Sequence, residues 1–342
     1  MKVSWQLGNG RHLMPVTRTR PTARLPKWII ILLCLVFVYL ISAYVHPPRW
    51  YAEDWMPPVA RELSDEELVA HVVFRNILSM PLRQPKNPKI AFMFLTPGPL
   101  PLERLWEKFF QVLWGKISMV EAEKRLLAYA LQDPDNQHFV LLSDSCIPLH
   151  DFDYVYKYLM GTNVSFIDNF FDPGPHGNGR YSEHMMPEIE HRDFKKGSQW
   201  FSMKRQHALI MMADNLYFTK FRFYCKPGFE GHNCYSYEHY LPTLFTMFDP
   251  TGIANWSLTH VDWSEGKWHP KSYLAKEVTY GLLKKLRSID ETFHVTSDEK
   301  KVETRKPCLW NGTRRPCHLF ARRFLPEALN KLMHLFPNYT AI

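Results

Sequence analysis

No internal repeat and no low-complexity tract runs through the 342 residues, which excludes solenoids, repeat arrays and fibrous architectures. Cysteine is scarce: there are six, and none has the C-x₂-C spacing usual in a structural zinc site. Acidic residues are missing from the first 27 positions, where Lys2, Arg11, Arg18, Arg20, Arg24 and Lys27 are all basic. Removing these six charges from the net +8 leaves about +2 for the rest of the chain. So weak an excess does not imply a nucleic-acid partner. Charge of either sign is absent from residues 28–45.

That uncharged run is rich in Ile, Leu, Val, Phe and Tyr, with Trp28 and Tyr44 near its ends, where amphipathic rings favour the headgroup region. As a helix its eighteen residues would span roughly 27 Å, enough for a thin bilayer of the early secretory pathway. A cleaved signal peptide is the competing reading, with Ser42 and Ala43 as small residues near a cleavage point. Its apolar core is normally shorter and closer to the N-terminus, whereas 27 residues precede this one. The uncleaved anchor is the expectation. Glu53, Asp54, Glu62, Asp65, Glu66 and Glu67 follow the run against only Arg49 and Arg61. The positive-inside rule then places the N-terminus in the cytosol and the bulk of the chain in the lumen.

Luminal exposure predicts glycans and disulfides. Four N-x-Ser/Thr sequons, at Asn163, Asn255, Asn311 and Asn338, all follow the anchor. Cys34 lies in the apolar run, so five luminal cysteines remain and at least one cannot pair within the chain. Cys225 with Cys234, and Cys308 with Cys317, each flank a short loop and are the expected pairs, leaving Cys146 free.

The organisation follows from composition. Residues 1–27 form a basic tail, 28–45 the anchor, and 46–88 a stem with seven prolines and one helix opened by the capping box Ser64-x-x-Glu67. Residues 89–342 suit one α/β domain. Ile90 to Leu95 and Phe139 to Leu142 read as buried strands, and Ser165 to Ile167 as a third. Helices are expected over 102–112, from the box Ser118-x-x-Glu121 to about Leu131, with Met119, Ala122, Leu126 and Ala130 on its apolar face, and over 152–159. This alternation predicts a mostly parallel sheet, with the ligand site beyond the strands' carboxyl ends, where Thr96 and Asp144 fall.

Five landmarks recur in order: Trp114-Gly115-Lys116-Ile117-Ser118-Met119, the run FVLLSDSCIPL over 139–149, Gly197-Ser198-Gln199-Trp200-Phe201, Glu238-His239-Tyr240-Leu241-Pro242, and Leu319-Phe320-Ala321-Arg322-Arg323-Phe324. Together they resemble the plant branch of the core-2/I-branching N-acetylglucosaminyltransferase-like family. The resemblance implies a GT-A-like, Rossmann-like domain in a type II Golgi membrane protein. It also implies inverting transfer of a sugar, N-acetylglucosamine by the family's name, from a UDP-sugar to a glycan or glycoprotein acceptor, with no metal or other cofactor.

Such chemistry needs a carboxylate base to deprotonate the attacking hydroxyl. By resemblance it is Glu238; the alternative is an ordinary acidic residue at a helix N-terminus. Where the family has Asp before this Glu, the chain has Tyr237. The leaving diphosphate must be neutralised, and after the second strand Ser143-Asp144-Ser145 supplies only one carboxylate. The strings Asp133-x-Asp135 and Asp151-x-Asp153 read as a turn and a helix start. Basic side chains serve metal-free relatives instead: Arg323 by resemblance, with Arg322 beside it and Arg305 as a further charge; a solvated basic pair is the alternative for Arg322 and Arg323. Thr96 and Asp144 are expected at the donor. Trp200, Arg192 and Lys195 are candidates for acceptor contact, Trp200 otherwise being core. Trp263, His269 and Pro270 are landmarks without a role.

Between Phe110 and Trp114 stand only Gln111, Val112 and Leu113, where family members carry several tens of residues that include a strand of the nucleotide pocket. The alternative function is therefore a catalytically inactive binding protein or scaffold of the same fold.

Overall fold

The computed structural model describes residues 62–80, 85–96, 100–102, 119–267 and 269–340, together with Leu32, Leu35 and Val36. Those three residues are helical. The rest of the expected anchor, the basic tail and the helix expected over 102–112 beyond Leu102 lie outside the described residues, as does Ser118 of the second capping box. Among the described residues no helix is long and apolar enough to cross a membrane.

One compact unit runs from Leu63 to Ile342. It opens with α1 (Asp65–Ser79), where the expected capping box is formed: Ser64 Oγ accepts from Glu67 N and Glu67 Oε2 accepts from Ser64 N. This helix, which the sequence places in the stem, buries Phe74 in the domain core. Then come β1 (Lys89–Leu95), α2 (Met119–Ala130), β2 (Asn136–Ser143), β3 (Ile147–Pro148), α3 (Phe152–Met160) and β4 (Ser165–Asp168). A long loop leads to β5 (Ser202–Lys204), followed by α4 (Arg205–Ala213) and α5 (Leu216–Tyr224). The hairpin β6 (Pro227–Phe229) and β7 (His232–Asn233) precedes α6 (Ser236–Phe248), β8 (Ile253–Asn255) and β9 (Thr259–Val261). The chain ends with α7 (Tyr280–Arg287), the ribbon β10 (Glu291–Val295) and β11 (Glu303–Pro307), the small hairpin β12 (Leu309–Trp310) and β13 (Thr313–Arg314), then β14 (Phe320–Arg322) and α8 (Leu329–Thr340).

The central sheet has the order β1-β2-β5-β4-β8. β1 pairs parallel with β2, and β4 with β8, but β5 is antiparallel to both β2 and β4. The expected mostly parallel sheet is therefore mixed, with one reversed strand in its middle. The reason is connectivity. A helical crossover returns the chain to a sheet's starting edge and so yields parallel pairs. The loop after β4 stays at the carboxyl edge, and a strand entering from there must run backwards. A second sheet, β3-β14-β9, holds β14 antiparallel to β3 and parallel to β9.

Burial explains the uninterrupted apolar run of β2. Side chains alternate across a strand: Val140 and Leu142 face a core shared with α3, α7 and α8, while Phe139 and Leu141 face one shared with α2, α4, α5 and α6. A strand covered on both faces has no reason to alternate polarity. Asp151 caps α3 by accepting from Tyr154 N (2.7 Å) and Asp133 and Asp135 lie in a turn, both as read from the sequence; in the fold that turn pairs with Lys89. Both disulfides, Cys225–Cys234 and Cys308–Cys317, are present, and Cys146 is free and buried. All four sequon asparagines are exposed.

The buried face of α2 departs from the expected one. Ala122 is on it as expected, but Leu126 and Ala130 are only half-buried and Val120, Glu123 and Leu127 go inside. Burial pushes the Glu123 carboxyl from an ordinary value near 4.5 up to about 8, against a weaker opposing hydrogen bond from Gln199. The folded state therefore holds a proton that the unfolded chain releases above about 4.5, so this group costs stability as pH rises from there to about 8. Replacing it by Glu123→Gln should remove that dependence. Melting of variant and wild type should diverge with rising pH across this window, the variant gaining at most about 1.4 kcal/mol per pH unit.

Candidate active site

The loop between β4 and β5 lies over the carboxyl edge of the sheet, and buried polar contacts fix it there. Asp172 is buried and accepts from Ser297 N (2.8 Å), Ser297 Oγ (2.9 Å), Gly174 N (3.0 Å) and Lys196 Nζ (3.2 Å). Burial alone would raise its carboxyl, but these donors outweigh it and hold the group below the usual carboxylate range. Asp168, at the end of β4, meets His294 of β10 at 2.8 Å and accepts from Ser198 N at 2.9 Å. The ribbon β10–β11 is thereby fastened to the loop.

Glu238 stands in the first turn of α6, where a carboxylate is favoured by the helix dipole. Its side chain is 26% exposed, and its Oε2 accepts from Arg180 Nη1 at 2.6 Å. The Arg180 guanidinium also lies over the ring of Tyr235, 4.9 Å from its centre. His239, next along the helix, is buried, and burial drives its imidazole down to about 3, so it is neutral near pH 7. Its Nδ1 therefore donates to the Lys195 carbonyl (2.8 Å), leaving Nε2 as an acceptor 3.4 Å from Arg180 Nη1. One arginine thus serves the carboxylate and the adjoining neutral histidine.

The second group of residues lies at the ends of β2 and β14. Thr96 and Asp144 follow β1 and β2 directly, and the register that pairs Leu95 with Ser143 sets them side by side. Phe324 N donates to Ser145 O (3.0 Å), which brings Arg322 and Arg323 to the same edge. Arg322 lies over the ring of Trp200, 4.3 Å from its centre, and its Nε is buried without a hydrogen-bond partner. Burial and, less strongly, neighbouring Arg323 lower its proton affinity, while Cys146 and Asp144 oppose them. Arg322 as a whole is half-buried, but an enclosed Nε–H without an acceptor is costly until one completes it.

Segment 197–200 joins the two groups. Gly197 N donates to Glu238 O (2.8 Å), and three residues later Trp200 supports Arg322. Three residues reach at most about 10 Å, so the backbone that meets Glu238 and the ring that meets Arg322 lie within that span of each other.

The expected site residues are thus only partly assembled. Glu238, Arg322, Arg323, Thr96 and Asp144 share the carboxyl edge. Trp200 is core, 5% exposed, and its ring supports Arg322, so the expected stacking on an acceptor sugar is corrected to a supporting role. Arg305 is exposed on β11 with its guanidinium over Phe293 (4.4 Å), on a ribbon separate from Arg322 and Arg323. Arg192 pairs with Glu190 and lines an open depression of about 520 Å³ with Phe171 and Asn178. Lys195 turns its Nζ to the Arg192 carbonyl, and its own carbonyl serves His239. Asp133 and Asp135 are at the opposite edge of the sheet, at the start of β2. Arg180 and Asp172 were not read from the sequence; Arg180 is 58 positions from its partner, in a loop rich in Gly, Pro and His that offers no local signal.

This arrangement, a carboxylate paired with one arginine and a second, half-buried arginine with an unpartnered Nε, on a mixed α/β domain with parallel strand pairs, fits a GT-A-like glycosyltransferase. Residues 111–287 match the family model described as Core-2/I-Branching enzyme. A curated relative, Glycosyltransferase BC10 of Oryza sativa subsp. japonica, is 32% identical over 372 aligned positions, 89% of this chain and 91% of the relative. The chain belongs to the core-2/I-branching enzyme family, in its plant branch, and is a glycosyltransferase by class.

The joint at Gly197 is steric as well as hydrogen-bonded. A Cβ there would sit 1.9 Å from Asp168 O and 2.9 Å from Pro242 Cγ. Since the nearest atom is backbone, no side-chain rotation relieves the clash. Gly197→Ala should destabilise the domain by roughly 3 kcal/mol, read as a lower urea midpoint with unchanged slope.

Proposed function

We propose that this chain is a type II Golgi membrane protein whose luminal domain transfers N-acetylglucosamine from a UDP-sugar to a glycan acceptor, with inversion and without a metal. The observation that carries the reading is the link, through segment 197–200, between the Arg180–Glu238 pair and Arg322, a half-buried arginine whose Nε is enclosed without a hydrogen-bond partner. The basic tail, the apolar run 28–45 and the two disulfides support the topology and the oxidising compartment.

In this mechanism the acceptor hydroxyl attacks the anomeric carbon from the face opposite the leaving diphosphate. The new C–O bond forms as the bond to the diphosphate oxygen breaks, which inverts the centre. Arg180 occupies Oε2 of Glu238 and leaves Oε1 to take the hydroxyl proton. Arg322 and Arg323 stabilise the charge released on the diphosphate, and burial strengthens that interaction. Trp200 holds the Arg322 plane for bidentate contact with phosphate oxygens. Thr96 and Asp144 line the donor side, and Arg192 and Lys195 the acceptor side.

One observation favours a second reading, binding without turnover. The alignment to the rice relative, at 372 positions, is longer than the 342-residue chain, so the relative carries residues that this chain lacks. Binding of UDP with no turnover of UDP-N-acetylglucosamine by the full-length chain would select it. Under the leading reading, Glu238→Gln should lower turnover at least 10³-fold, roughly the upper part of the range for a lost acid–base group. Its circular dichroism and melting should match wild type, and EDTA should leave wild-type activity unchanged. Transfer retained by Glu238→Gln would remove Glu238 as the base, and loss in EDTA would remove the metal-free mechanism.

A further inference from the structure

Arg180 holds Glu238, and a separate element holds the loop that carries Arg180. The Cys225–Cys234 disulfide closes the β6–β7 hairpin at its root. At the tip Glu230 and Gly231 have φ of 51° and 77°, the paired positive values of the tight turns that suit hairpin twist. A glutamate is an uncommon occupant of that region, and such strain persists where surrounding contacts fix it. Two contacts do so here. Glu230 Oε1 meets His184 Nε2 at 3.0 Å, and the His232 Nδ1 proton is donated to the carbonyl of Gly179 at 2.5 Å. Gly179 and His184 lie on either side of Arg180 in the loop between β4 and β5.

The contacts form a closed circuit. From Glu238 it runs to Arg180, through the Gly179 carbonyl to His232, and back along the chain through Cys234 and Tyr235 to Glu238, with the Tyr235 ring against Arg180. Every link is a hydrogen bond, an ion pair, a ring contact or a few residues of backbone. Neither His232 nor the hairpin touches the carboxylate.

We infer that the disulfide-rooted β6–β7 hairpin, acting through His232, positions the Arg180–Glu238 pair for proton transfer. The inference rests on Glu238 being the base. His232 is a positioning residue: it fixes where Arg180 sits, and Arg180 fixes which carboxylate oxygen is presented. Small displacements of a base change turnover far more than donor binding.

The test uses the full-length chain with UDP-N-acetylglucosamine as donor. His232 is exposed, so His232→Ala should leave melting unchanged. It should lower kcat about tenfold with the donor KM within about twofold. His232→Asn, whose amide can still donate to the Gly179 carbonyl, should recover most of that loss. Adding His232→Ala to Arg180→Ala should cost nothing further, because both break one circuit. Amide exchange over residues 177–181 should quicken in His232→Ala, with the rest of the domain unchanged. An unaltered kcat, failure of Asn to rescue, losses that multiply, or unaltered exchange would each overturn the inference. Retained transfer by Glu238→Gln is a different failure, that of the base itself. The exchange experiment judges the hairpin whether or not turnover is measurable.

Discussion

The site depends on the close approach of Gly197 to the backbone of Asp168 and Glu238. Asp168 ends β4, Glu238 begins α6, and Gly197 lies on the returning loop; a hydrogen bond and the absence of a side chain bring the three together. From that joint the chain has three residues in which to reach Trp200, whose ring supports Arg322 from the second sheet.

The cations of this edge are not equivalent. Arg192 is exposed and paired to Glu190, an arrangement that contributes little. Arg180 is almost enclosed and its charge is answered by Glu238 at hydrogen-bond distance. Arg322 is half-buried with its Nε enclosed and unpartnered, and Asp144 acts on it only weakly. This gradation separates a surface pair, a nearly enclosed pair and a half-buried cation with one donor unpartnered, among residues that look alike in composition.

The loop between β4 and β5 carries much of the site yet has little regular structure. It is held by donors to Asp172 and by the pairing of His294 with Asp168, both from the β10–β11 side, and by the β6–β7 hairpin on the other. A loop clamped from two sides supplies fixed positions without regular structure of its own.

Much of the local structure was legible in the residues. Ser64-x-x-Glu67 forms its capping box, Asp151 caps its helix, and the cysteines pair at the expected spacing, because each involves partners within ten positions. The apolar runs of β1 and β2 declared themselves because burial on both faces demands them. The reversed β5, at three residues, is too short to carry a pattern, and its direction follows from where the preceding loop ends. Glu238 could be named by resemblance, but its partner could not: Arg180 is 58 positions away, and nothing local in either segment specifies the other. Trp200 was visible as an aromatic, whereas its use as a support for Arg322 depends on two sheets meeting. The sequence by itself determined the helix caps, the long apolar strands, the covalent links and the types of reactive group, since these follow from neighbours along the chain. Which charges are paired, which is left short of a partner, and which residue holds another in place were decided only by tertiary packing, because burial and long-range contact do not exist until the chain has folded.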